Sequence, residues 1–299
     1  MATAACLLSA PLAAQEVTIS VTPVSAPLTV PVEESAFWSA AVSNGQMDPA
    51  ADRIPDMPLV VDLEAKDRSF GEQGGTLRTM ITRTKDVRQM VVYGYARLVG
   101  YDHEYNLRPD ILRDVEVEDG RIFTLHLRPG HRWSDGAPFT SADFRYWWEN
   151  VAGNPELSPN GPPEIMRVGD RVATMRFPDA HTVVVDFPRP NPRFLPALAQ
   201  ASPPFIYRPA HYLKQFHVNF NTMEEMEEMI DAKRVRGWAP LHNKLDNMYK
   251  FDNHELPTLQ PWMPASTGGA SRYLFVRNPY FHRVDARGVL LPYIDVVEM

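Results

Sequence analysis

The chain reads as an α/β protein in which mixed sheets are joined by long ordered loops. Three observations predict this. Residues 107–149, LRPDILRDVEVEDGRIFTLHLRPGHRWSDGAPFTSADFRYWWE, alternate as a hairpin and then switch to helical spacing. Residues 171–199 repeat the order of hairpin, then helix. The 28 prolines gather at turns and loop exits, which favours ordered loops over long uninterrupted helices.

In the first of these segments Val115 and Val117 alternate with acidic residues, and Asp119-Gly120 supplies a two-residue turn that tolerates positive φ. Phe123, Leu125 and Leu127 then alternate against Ile122, Thr124, His126 and Arg128, so the hairpin has one apolar face. Pro129-Gly130 and Asp135-Gly136 mark turns around Trp133. Thr140 stands three residues before Asp143, as in a capping box that opens a helix. Phe144, Trp147, Trp148 and Val151 share one helical face, and Trp133, Trp147 and Trp148 are expected in the core. Upstream, Gly74-Gly75 precedes a strand over residues 76–82, TLRTMIT. A loop at 83–88, a helical turn at 90–95 and a short strand at 97–102 follow. Downstream, residues 222–236 predict a helix. Thr222 and Glu225 form its capping box, Lys233, Arg234 and Arg236 its basic end, and Gly237 its stop. Met223, Met226, Met229 and Ile230 form its packing face rather than a methionine metal site.

Residues 1–14, MATAACLLSAPLAA, end like a secretory signal with cleavage after Ala14, although the usual basic start is missing. Three readings stay open: a signal peptide remnant, a disordered terminus, and a lipoprotein anchored at Cys6. The first implies export to a periplasm or the cell exterior. Residues 15–73, rich in spaced Val, Thr and Pro, suit an extended arm lying on the main domain, or a flexible linker. No later run approaches the ~20 apolar residues needed to cross a bilayer, so membrane contact is expected only through a partner.

With 44% hydrophobic and 22% charged residues, 299 residues can bury a core in one or two domains. The net charge of −7 and the scattered basic residues argue against nucleic acid as a partner. Cys6 is the only cysteine, so a disulfide framework or thiolate cluster is excluded. The chain lacks a G-x-S-x-G elbow, an H-E-x-x-H helix, a P-loop and a dinucleotide fingerprint. Its nine histidines are dispersed; His126 and His131 bracket a turn without a partner at ligand spacing. Glu116 and Glu118 are expected to be solvated, not an enclosed acid-base pair. These absences favour binding over catalysis.

The hairpin, the turn around Trp133, Asp135-Gly136 and the capped helix opening Ser141-Ala142-Asp143-Phe144 resemble the signature region of the extracellular solute-binding proteins of family 5, the receptors of dipeptide and oligopeptide ABC importers. Residues 171–199, RVATMRFPDAHTVVVDFPRPNPRFLPALA, are similar to the family's next hairpin and helix. Residues 271–299, SRYLFVRNPYFHRVDARGVLLPYIDVVEM, are similar to the segment with its RNPY and LPYID phrases. The resemblance covers residues 74–299. It implies lobe I of a two-lobed periplasmic-binding-protein-like fold (type II, cluster C), with Met299 near the crossover and the second lobe missing. It further implies a monomer that needs no cofactor, captures a peptide or similar polar solute by lobe closure, and passes it to ABC transporter permease subunits without chemistry. The resemblance places the cleft beside Thr82, Arg83 and Thr84 at the end of the first strand, and near Trp262, which either stacks on the solute or packs in the core or hinge. Three alternatives stay open: an oligosaccharide receptor of the same family, a secreted hydrolase, and a chaperone-like binder.

Overall fold

The computed structural model describes residues 21, 28–61, 63–64, 68–250, 253–266 and 272–299. The signal segment at 1–14, Cys6 included, and parts of 15–73 lie outside these residues.

The signature segment folds as its alternation predicts. Strand Leu112–Glu118 pairs with Ile122–Leu127, Val117 facing Phe123 across the ladder. Asp119 (φ 51°) and Gly120 (φ 62°) both adopt the left-handed conformation that matches the twist of a two-residue hairpin. A second hairpin, Thr174–Asp179 with Thr182–Asp186, docks alongside to give an antiparallel sheet in the order 112–118, 122–127, 182–186, 174–179. Phe123, Leu125, Leu127, Val183 and Val185 are buried on one face. Phe194, from the following helix Phe194–Leu198, packs on Phe123 at 4.9 Å. Gly120→Ala, which forces a Cβ into the left-handed turn, is expected to cost about 1 kcal/mol, read as a lower urea midpoint at unchanged slope.

Thr140 caps the helix Ser141–Tyr146: its Oγ1 accepts from the Ala142 amide at 3.3 Å, and Asp143 Oδ2 accepts from the Thr140 amide at 3.0 Å. The next turn, Trp147–Ala152, is wider, with the Gly153 amide donating to the Trp148 carbonyl five residues back. Phe144, Trp147 and Val151 are buried, and Trp148 is half-buried.

A second sheet is mixed and gathers distant parts of the chain. Its order is Trp262–Pro264, Leu274–Arg277, Val296–Glu298, Thr76–Arg78; the last pair is parallel and the other two antiparallel. The α/β architecture with mixed sheets and long loops is thus as expected. Within residues 28–61, strand Leu59–Val61 runs parallel to Arg283–Asp285, and Glu33 bridges Val289. Ala50 and Ile54 join Val284 and Leu290 in a small second core. Buried Arg53 donates to both oxygens of Glu34, at 2.6 and 2.7 Å, and to the Pro279 carbonyl at 2.9 Å.

Several boundaries differ from expectation. The strand expected over 76–82 is only Thr76–Arg78, because Thr79 makes the last bond to Glu298 and the chain then leaves the sheet. The strand expected over 97–102 is Val99–Tyr101. The helix expected over 222–236 has its capping box but spans Met223–Ala232, since Arg234 turns the chain at φ 53°. Gly237 does not end this helix; it precedes another, Trp238–Leu245, whose Pro240 lies in the first turn, where a missing N–H costs little. Of the methionine face, Met226 and Ile230 are buried while Met223 is exposed. Arg128 leaves the polar face of its hairpin and is buried, donating to the carbonyls of Met57, Asp110 and Leu112 at 2.6–3.1 Å.

Candidate functional site

Thr76–Arg78 is an edge strand: among the described residues it pairs only with Val296–Glu298, so its other side presents unpaired amides and carbonyls. Gly74 and Gly75, at φ 131° and 74°, bend the chain into it. Leu77 in this strand and Met80 just beyond it (95% exposed) are exposed, and Ile81 packs on the core. Thr82, Arg83 and Thr84 follow, all exposed. Asp86 fixes their geometry. Its buried carboxylate accepts from the Arg83 amide at 3.2 Å and Thr82 Oγ1 at 3.3 Å, capping the tight helix Thr84–Arg88, which runs into Gln89–Gly94. The Arg83 guanidinium lies 4.0 Å from Asp86 and stays two-thirds exposed.

At the same end of the edge strand, Glu298 receives Arg78 Nε at 3.3 Å and Arg272 Nε at 2.6 Å, both guanidiniums being largely exposed. Three arginines therefore share two carboxylates beside an unpaired backbone edge. Chemically, such an edge can add an extended chain through main-chain hydrogen bonds, and a free guanidinium can take a carboxylate. Arg78 and Arg272 carry no motif and are joined only by sheet pairing, so the sequence does not single them out.

Trp262 lies elsewhere. It belongs to the opposite edge strand, paired with Arg277 and level with the start of Thr76–Arg78, so the sheet does not bring it to Thr82, Arg83 and Thr84. Its Nε1 donates to the Ile294 carbonyl at 2.9 Å and its ring packs half-buried on the core. Trp262 thus lies on the sheet, whereas Thr82, Arg83 and Thr84 follow the point beyond Thr79 where the chain leaves it.

Two buried ionisable groups elsewhere, Asp143 and His242, take part in hydrogen bonds. Asp143 is pushed up to about 6 by burial, against donations from the Thr140 amide, the Ala210 amide and Trp133 Nε1. Burial likewise lowers His242 to about 3, its Nε2 being 2.8 Å from the Tyr146 hydroxyl. Among the described residues, no three His, Cys, Asp or Glu side chains are grouped to hold a metal ion. No helix among them is long and apolar enough to cross a membrane.

Comparison with known proteins agrees with this architecture. The profile of the bacterial extracellular solute-binding proteins, family 5 (middle region), matches residues 106–299. A solved oligopeptide-binding protein OppA superposes with a TM-score of 0.79 at 34% identity, over 89% of this chain and 41% of its own. The periplasmic alpha-galactoside-binding protein of Rhizobium meliloti is 27% identical over 276 residues, 85% of this chain and 37% of that protein. The binding protein MelB of Agrobacterium fabrum, solved with stachyose, shares the fold with a TM-score of 0.68 at 21% identity, over 96% of this chain and 44% of its own. The chain spans about two fifths of these relatives, which are solute-binding proteins rather than enzymes and several of which are periplasmic. The profile match over most of its length, together with the α/β architecture, means that the chain belongs to the bacterial extracellular solute-binding proteins, family 5.

Proposed function

We propose that this chain belongs to the substrate-binding component of an ABC importer, capturing peptides outside the cytoplasmic membrane for delivery to a permease, without catalysis. The likeness to the oligopeptide-binding protein, at 34% identity over 89% of the chain, carries this reading. The open edge of Thr76–Arg78 supports it, because an extended peptide can continue a sheet where a sugar cannot. In this reading residues 74–299 belong to lobe I, residues 15–73 form an arm lying on it, and residues 1–14 direct export. Thr82, Arg83 and Thr84 border the bound peptide, and Arg83 faces its carboxylates.

A second reading, an oligosaccharide receptor, is favoured by the alpha-galactoside-binding relative, which aligns with 85% of the chain. Trp262 would then serve as the stacking platform.

Thermal shift and calorimetry with tripeptides to pentapeptides and with raffinose-type sugars test the choice. Stabilisation by peptides, with the peptides recovered intact, is expected. Stabilisation by the sugars alone establishes the second reading and overturns the first; release of cleaved product establishes a hydrolase. Arg83→Glu is expected to weaken an acidic peptide about tenfold, roughly 1.4 kcal/mol, and a neutral one little.

A further inference from the structure

Two histidines far apart in sequence meet beneath the segment at residues 54–61. The rings of His131 and His282 lie 5.0 Å apart, both buried, and neither Nδ1 has a hydrogen-bond partner among the described residues. His282 Nε2 donates to Asp110 Oδ1 at 2.8 Å. His131 packs on Phe139, and His282 on Phe281.

The charged groups around the rings are mostly positive. Arg128, from the end of the signature hairpin, donates to the Asp110 carbonyl, and Arg283, next to His282, donates to both Asp110 oxygens at 2.9 and 2.6 Å. Arg97 gives its amide to Asp110 Oδ2 and turns its guanidinium to the carbonyls of Val91, Ala96, Gln200 and Ala201. Arg113 lies close enough to act on Arg128. From the covering segment, Asp56 comes close to Gly130, where an added Cβ would meet its Oδ1 at 3.0 Å. Asp110 is therefore the carboxylate held directly by this cluster of cations.

The covering segment rests on these same residues. The Asp56 amide donates to the Pro129 carbonyl at 3.1 Å, the Met57 carbonyl accepts from Arg128 at 2.6 Å, and the Leu59 amide donates to the His282 carbonyl at 2.8 Å. Strand Leu59–Val61 continues along Arg283–Asp285.

We infer that the His131–His282 pair is an acid latch on the segment at residues 54–61: a proton on either ring adds a positive charge among Arg128 and Arg283, and the segment lifts to let water reach it. Burial supports the direction. It lowers His282 to about 4 despite Asp110, and it lowers His131 well below its ordinary value. A group whose folded value is lowered keeps its full contribution above its unfolded value, near 6.5, and loses it as pH falls toward the folded one. If opening returns His282 from about 4 to 6.5, that ring alone raises the open population about twentyfold between pH 7 and pH 5, and release of His131 raises it further.

Hydrogen exchange on this chain at pH 7 and pH 5, corrected for intrinsic rates, tests the latch. Protection of the Asp56 and Leu59 amides is expected to fall by more than about twentyfold while that of Val183 and Val185, in the centre of the other sheet, holds. In His131→Phe and His282→Gln the drop is expected to shrink, because each variant removes one of the two protonation sites. Equal protection at both pH values overturns the latch, as does a parallel loss at Val183 and Val185 or an undiminished drop in both variants.

Discussion

Replacing Asp110 with alanine is expected to destabilise the protein by about 3–5 kcal/mol, a large share of the total for a natural domain. Burial alone would raise the Asp110 carboxyl, but Arg283 and His282 overcome it and hold the group below the usual carboxylate range, so the side chain is an anion. Its removal leaves Arg283 Nε, His282 Nε2 and the Arg97 amide without their acceptor and the Arg283 guanidinium with only the Tyr95 carbonyl. It also removes the negative charge that tolerates Arg128 in the interior. Asp110→Asn keeps one acceptor oxygen and should lose less than the alanine variant. Urea unfolding monitored by tryptophan fluorescence checks both, and a loss below ~1 kcal/mol for the alanine variant would show that the cluster is solvated.

Trp133→Ala is the second large effect, at about 3–5 kcal/mol. Trp133 is fully buried, with Phe139 at 5.5 Å edge-on and Tyr207 at 5.9 Å, so truncation opens a cavity among aromatic rings. The indole also donates to Asp143 Oδ2 at 3.3 Å, and Asp143 in turn holds the Thr140 and Ala210 amides. Trp133→Phe keeps much of the ring packing but loses the donor and some volume, so its cost is expected to be smaller, about 1–2 kcal/mol. Comparable losses in the two variants would mean that packing contributes little. Because burial raises Asp143 to about 6, above its unfolded value of 3.8, this carboxyl favours the folded state as pH falls from 6 toward 3.8. The buried histidines act in the opposite sense. Global melting therefore mixes the two, and local exchange at residues 54–61 separates them.

Much of the local architecture was written in short-range pattern. The Asp119-Gly120 turn, the capping boxes at Thr140 and Thr222 and the buried alternation of Phe123, Leu125 and Leu127 each depend on neighbours a few residues away, and all are present. The ordered run of hairpin, turn and capped helix was enough to indicate the family. Gly237 misled because a glycine after a basic run suits a helix end as well as the start of the next helix, and Pro240 hid the second possibility.

The candidate site was legible only in part. Thr82, Arg83 and Thr84 follow a strand visible in the sequence, but that this strand lies at a sheet edge depends on its pairing with Val296–Glu298 at the far end of the chain. Arg78 and Arg272 meet through Glu298, and Trp262 lies on the edge strand opposite the one that Thr82 follows. His131 looked like a lone histidine because its neighbour is His282; Asp110, which completes the cluster, lies 172 residues from His282. Sequence by itself determined the turns, the caps, the apolar faces and the family, because each is set by spacing along a few residues. Tertiary structure alone decided which strand is an edge, which arginine is buried and which charges share a site, because those depend on pairings between distant segments that no local period encodes.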